Sequence, residues 1–133
     1  MRLWHRVLIP YLPRQQLIAQ WRECCLIAKA IAEDGTPNHL LVNKITHYPP
    51  SEFNSYTQLV IDEMNRRGYR INPDHFWKWR EWKGQFMDTL IFRCWHTDRY
   101  LQQCYYNLEE KYDCGGISDE EWERLCDGIS EYV

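Results

Sequence analysis

Residues 12–35 read LPRQQLIAQWRECCLIAKAIAEDG, and this stretch decides the fold class. Pro13 suits a first helical turn and Gly35 a left-handed stop, so the pattern predicts one long helix over residues 12–34. At about 100° per residue, Leu17, Ile18, Trp21, Cys24, Cys25, Ala28, Ile31 and Ala32 fall within one arc of roughly 140°, which is expected to face a core. Gln15, Gln16, Ala19, Arg22, Glu23 and Leu26 fall on the other side and are expected to meet solvent. Arg22 and Glu23 are consecutive, about 100° apart, and cannot make the i,i+4 ion pair that would give a helix surface a structural reason for them. On composition alone, an exposed Arg beside an exposed Glu is ordinary.

Outward from this helix the same periodicity recurs. The segment SEFNSYTQLVIDEMNRR (51–67) follows Pro49 and Pro50, repeats Phe53, Tyr56, Val60 and Met64 at helical spacing, and ends at Gly68. Residues 36–50 hold three prolines around HLLVNKITHY and read as an extended or irregular connection. Asp74 is placed to cap a short helix ending near Gly84. HTDRYLQQCYYNLEEKYDCGG (96–116) reads as a third long helix, capped near Thr97 or Asp98 and closed by Gly115 and Gly116. SDEEWERLCDG (118–128) opens with a capping box, Ser118 three residues before Glu121, over a stripe of Trp122, Leu125 and Cys126. No alternating strand of useful length and no internal repeat occurs. An all-α fold of about three long helices plus short ones is expected, as a single domain over residues 1–133 with an acidic C-terminal helix at about 117–133.

The totals agree with a packed chain. With 133 residues, 44% hydrophobic and 7 Trp and 9 Tyr among them, disorder is excluded and one core is expected. No apolar run reaches the length of a bilayer span and no secretory leader opens the chain, so a cytoplasmic location is expected. The net charge of −3 is unevenly spread. Residues 1–100 carry 14 Lys and Arg against 10 Asp and Glu, whereas residues 101–133 carry 2 against 9. A mildly basic body with an acidic tail is compatible with an anionic partner on one face, and equally with a solvated acidic helix.

Six cysteines include an adjacent pair and no C-x-x-C, which favours free thiols, mostly buried, over disulfides. A zinc site from Cys94, His96, Cys104 and Cys114 would need ligands in pairs two to four residues apart, whereas these cysteines are spaced by ten. In HFWKWREWK (75–83), Trp77, Trp79 and Trp82 alternate with Lys78, Arg80 and Lys83, a pattern suited either to stacking on bases or to a core stripe through Trp79 and Trp82. The five histidines show no ligand spacing; His47, in the proline-rich connection, is the one best suited to a site.

Taken together, LIPYLPRQQLIAQWRECC (8–25) resembles the signature helix of the pyrimidine-dimer DNA glycosylase family of phage type, also called endonuclease V. The resemblance continues through EMNRRGYRI (63–71) and, more loosely, through residues 96–112. It is strongest toward a branch of short bacterial and phage proteins that begin M-R-L-W-H, which implies a nucleoid-associated or phage-encoded protein. Against better-known members, this chain carries Gln16 for a His, Leu26 for a basic residue, and an acidic C-terminus for a basic aromatic one.

The resemblance implies a compact all-α DNA-repair enzyme. In such an enzyme the N-terminal α-amine attacks C1′ of a damaged nucleotide, expels the base and forms an imine that permits strand cleavage by β-elimination. By residue-for-residue match, Met1 and Glu23 are the catalytic pair, and Arg2, Gln16, Arg22 and His47 are the DNA-binding candidates. No metal or cofactor is implied; the partner is double-stranded DNA carrying a damaged or modified base, and a monomer is expected. The chemistry suits these groups. An α-amine titrates near 7.7–8.0 against about 10.4 for lysine, so a useful fraction is neutral at physiological pH. A carboxylate beside C1′ can stabilise oxocarbenium-like charge and then move protons. A second reading keeps the scaffold without catalysis, as a DNA-binding or protein-interaction module; the acidic tail motivates it.

Overall fold

The predicted first helix forms as α1 (Arg14–Asp34), with Gly35 in the left-handed conformation at φ 78° and its N–H closing on Ile31 O. The computed structural model describes residues 1–81 and 90–132. After α1 come α2 (Pro50–Arg66), the short α3 (Asp74–Trp77), α4 (Asp98–Asp113) and α5 (Asp119–Gly128). Two 3-10 turns, Arg6–Tyr11 and Asn43–His47, complete the set, and among the described residues there is no strand. The fold is all-α, and α1, α2 and α4 are its three long helices.

Capping follows the sequence closely. Thr97 Oγ1 accepts from Tyr100 N at 3.2 Å and Ser118 Oγ from Glu121 N at 3.2 Å, satisfying backbone donors that α4 and α5 would otherwise leave orphaned. Gly115 at φ 83° and the Gly116 N–H on Lys111 O close α4. Of the two alternatives for the connection after α1, the irregular one holds, with the 3-10 turn Asn43–His47 inside it. Asp74 is the first residue of α3 rather than its cap; Asn72 Oδ1 accepts the Asp74 N–H. The expected run of that helix to Gly84, together with Trp82 and Lys83, lies outside the described residues.

α1 packs on α2 and α3, while the turn Arg6–Tyr11 lies against α2 and α5. Leu8, Leu12, Leu17, Cys24, Phe53, Tyr56, Val60, Phe76, Leu101 and Leu125 are closed to solvent in one shared cluster. α5 is therefore anchored: Leu125 and Ile129 are buried, and a Cβ added to Gly128 would meet the Tyr11 ring at 2.3 Å. Its acids meet cations at one edge, where Glu120, Glu121, Arg14, Arg66, Arg67 and Arg124 line a shared depression.

The EMNRRG segment has a structural role. Glu63, 6% exposed, binds Arg66 and Arg67 through hydrogen-bonded ion pairs of 2.5 and 2.6 Å. Burial opposes its charge, but the two guanidinium partners outweigh it and hold the carboxyl below the usual range. Arg67 also donates to Pro10 O at 3.1 Å, tying the end of α2 to the first 3-10 turn. Trp77 and Trp79 lie half-buried against the core, and Arg80 donates to Asn54 Oδ1 at 2.8 Å and to Pro50 O at 3.1 Å. The described part of the tryptophan-rich segment thus braces the start of α2.

Cys24 and Cys104 are buried, Cys25 and Cys126 half-buried, Cys94 and Cys114 exposed, and all six are free. Cys104 and Cys114 sit ten residues apart along α4, about 15 Å of helix rise, too far to share one ion.

Candidate active site

The first residues of the chain run as a strap through the helices, held at nearly every polar backbone atom. Gln20, on α1 and closed to solvent, donates from Nε2 to Arg2 O at 3.0 Å and accepts the Trp4 N–H on Oε1 at 2.8 Å. The Tyr56 hydroxyl, from α2, donates to Trp4 O at 2.6 Å and lies 3.0 Å from Gln20 Oε1. Tyr100, from α4, donates to Leu3 O at 2.7 Å. Arg6 N donates to His96 Nδ1, and the His5 ring packs on that of His96 at 5.0 Å. Leu3, Trp4 and His5 are buried, whereas Met1 emerges with 38% of its surface exposed.

Buried backbone groups lose a few kcal/mol if left unpaired, so this strap is a constraint on position. Tyr56→Phe removes a buried donor without altering shape and is expected to destabilise the fold by about 1–3 kcal/mol, read as a lower urea midpoint. The histidines add a pH dependence. Burial and the nearby Arg6 charge lower His5 to about 4; burial, His5 and Arg6 lower His96 to about 2. The unfolded chain takes up these protons near pH 6.5, where the folded chain refuses them. Stability is therefore complete above about pH 6.5 and falls as pH is lowered toward 4; urea midpoints at pH 7.5 and pH 5 measure it.

Where the strap ends, Met1, Arg2, Trp4 and Glu23 line a depression of about 290 Å³ with Leu41, Asn107 and Lys111. Glu23 is half-buried, and Gln20 Nε2 donates to its Oε2 at 3.2 Å. One buried amide thus holds both the strap and the carboxylate. Burial raises the Glu23 carboxyl above its ordinary range; the Arg2 backbone N–H and the Met1 α-ammonium oppose this, with smaller contributions from His39 and Lys111. The start of the chain is within electrostatic reach of this carboxylate.

A second depression, of about 580 Å³, continues from the first through Arg2, Leu41 and Asn107, which line both. It adds Leu40, Lys44, Trp95, Arg99 and Tyr100, with no Asp or Glu among its described lining residues. The Arg2 guanidinium lies over the Trp4 and Tyr100 rings at 5.8 and 5.6 Å.

Of the sequence candidates, Met1, Arg2 and Glu23 come together. Arg22 is exposed on α1 beside Glu23 without lining either depression, and His47 is exposed at the end of its 3-10 turn. Gln16 lines a separate depression with Arg14, Gly116 and Glu121. Gln20, Lys44, Arg99 and Lys111 were not singled out from the sequence. Gln20 sits about 20° outside the apolar arc of α1, a polar residue at a core edge, which was the available signal.

The N-terminal half of this construction, from the strap to α3, corresponds to a known pattern: the sequence profile of a family described as pyrimidine dimer DNA glycosylase matches residues 1–76, more than half of the chain. The chain belongs to the pyrimidine dimer DNA glycosylase family. No curated protein and no solved structure matches it. Membership makes it a DNA-repair glycosylase with DNA as its substrate class. Among the described residues no helix is long and apolar enough to cross a membrane. The family match covers the strap, α1 with Gln20 and Glu23, the leucine-bearing turn and α2, whereas Arg99, Tyr100 and Lys111 come from α4 beyond it.

Proposed function

We propose that the protein is a DNA glycosylase with abasic-site lyase activity, in which the Met1 α-amine is the nucleophile and Glu23 the assisting carboxylate. The observation that carries this reading is the shared depression of Met1, Arg2 and Glu23 at the end of the buried strap. The neutral amine donates its lone pair to C1′, and the electrons of the bond from C1′ to the base leave with the base, which takes a proton. The sugar ring opens at O4′ as the C1′ imine forms. Loss of a C2′ proton then expels the phosphate at C3′, and water releases the amine from the cleaved strand.

Glu23 suits two of these steps. Charged, it offsets positive charge at C1′ as the base departs. Raised toward neutrality by burial, its carboxyl sits closer to the operating pH at which proton transfer is efficient. Arg2 and Lys111 line this depression and can hold phosphates there, and Arg22, exposed beside Glu23, with Gln16 and His47, would contact DNA outside it. Pyrimidine dimers are the substrate the family description supports; a modified base in phage or host DNA would use the same steps.

Borohydride tests the proposal, because an imine is reducible and a non-covalent complex is not. Incubation with abasic-site DNA and borohydride is expected to fix a covalent adduct, with peptide mapping placing it on Met1. No adduct from protein with a verified native terminus refutes Met1 as nucleophile and favours the non-catalytic DNA-binding module, whereas an adduct on Lys44 or Lys111 refutes Met1 and favours a lyase that uses a lysine amine.

A further inference from the structure

We propose that Leu40 and Leu41, at the tip of the turn after α1, form a wedge that enters duplex DNA beside the attacked nucleotide and separates a base step, while Arg2, Lys44 and Arg99 hold the flanking phosphates. The proposal rests on the DNA-glycosylase reading and adds how the duplex is opened.

Leu40 is 89% exposed and Leu41 50%. Single exposed apolar residues are common, but two in succession at the rim of a reaction pocket are not explained by the core. Leu41 lines both the Met1–Glu23 depression and the larger basic one, and Leu40 lines the latter. The two side chains therefore stand where the first depression opens into the second.

The turn that carries them is braced by hydrogen bonds. Asn43 Oδ1 accepts from His39 N at 2.9 Å and from Thr36 Oγ1 at 3.3 Å, and both Val42 N and Asn43 N close on His39 O. Asn38, at φ 60°, donates from Nδ2 to Asp34 Oδ2 at 3.0 Å. Pro37 and Val42 are buried on either side of the tip. A loop braced in this way presents its leucines at low ordering cost, as a wedge requires.

Charge selects the occupant. Arg2, Lys44 and Arg99 line the groove beside the leucines, no acid faces them among its described lining residues, and the ion pairs among the described residues all belong to Glu63. Apolar tips flanked by unpaired cations fit a polyanion whose interior is an apolar stack, which is duplex DNA. An apolar protein partner would leave the three cations without counter-charges. An extruded nucleotide also needs something to fill the gap in the stack, and wedging side chains serve that role.

The test reads unstacking apart from chemistry. A duplex with 2-aminopurine next to an abasic site is titrated with the wild type and with the Leu40→Ala/Leu41→Ala double variant; thermal unfolding confirms that both are folded. The wild type is expected to raise the fluorescence severalfold and the double variant to lose most of that rise, while its binding keeps the same salt slope because the phosphate contacts remain. Leu40→Met, which retains an apolar tip, is expected to keep the rise. In borohydride trapping, the double variant is expected to lose about tenfold more on duplex than on the same strand unpaired. An undiminished fluorescence rise in the double variant, or no rise with the wild type, overturns the wedge. Leucine-dependent unstacking without any borohydride adduct supports the wedge and instead removes the lyase reading.

Discussion

Glu23→Gln is expected to lower the rate of base release by on the order of a hundredfold, corresponding to about 3 kcal/mol of transition-state stabilisation, and to leave duplex affinity nearly unchanged. The expectation follows from the position of the side chain. The glutamine is isosteric, and its carbonyl can still accept the Gln20 amide that now binds Glu23 Oε2 at 3.2 Å, so the strap stays in place. What is lost is the charge that faces the developing cation and the proton acceptor of the later steps. Single-turnover assays on lesion-bearing duplex separate these effects: the chemical rate falls while the binding isotherm holds. A variant with wild-type rate removes Glu23 from the mechanism, and one that loses affinity and rate together assigns it to binding.

The second large effect concerns the amine itself. One glycine ahead of Met1 moves the terminal nitrogen by about 3.5 Å, and a loss of about a hundredfold or more in adduct formation is expected. The strap cannot slide back to compensate, because Arg2 O, Leu3 O, Trp4 N and Trp4 O are each hydrogen-bonded to side chains of three different helices. The extra residue must therefore intrude on the depression of about 290 Å³ where the sugar would sit. Trapping by the extended and native proteins, each checked by intact mass, measures the effect. Equal trapping places the nucleophile elsewhere.

Much of this architecture was legible in the sequence because it rests on local rules. The ends of α1, α2 and α4 follow from Pro13, Gly35, Gly68, Thr97 and Gly115, whose backbone preferences act within one turn. The Ser118 cap of α5 is equally local. The strap was not legible. Residues 2–5 have no periodicity, and their partners Gln20, Tyr56, His96 and Tyr100 are scattered over the chain, so the order there is entirely tertiary. Gln20 illustrates the difficulty: read on a helical wheel it belongs to a polar edge, and only the arrival of the strap makes a buried amide favourable. Charge counting left two readings open, an anionic partner on one face or a solvated acidic helix; the acids of α5 line neither depression near Glu23, and two of them, Glu120 and Glu121, share an edge with four arginines.

The strap also bears on the order of folding. Its contacts join residues 90, 97 and 102 positions apart, those of Arg6 with His96, Leu3 with Tyr100 and Arg2 with Cys104. Contacts at such separation form late, after the intervening chain has paid its loop-closure entropy. Residues 2–6 are thus expected to be among the last to be seated. A chain that has completed α1 and α2 already carries Glu23, whereas the proposed Met1 nucleophile is expected to reach its register only once α4 has docked. Interrupted translation products would carry the family's signature helix without a competent centre.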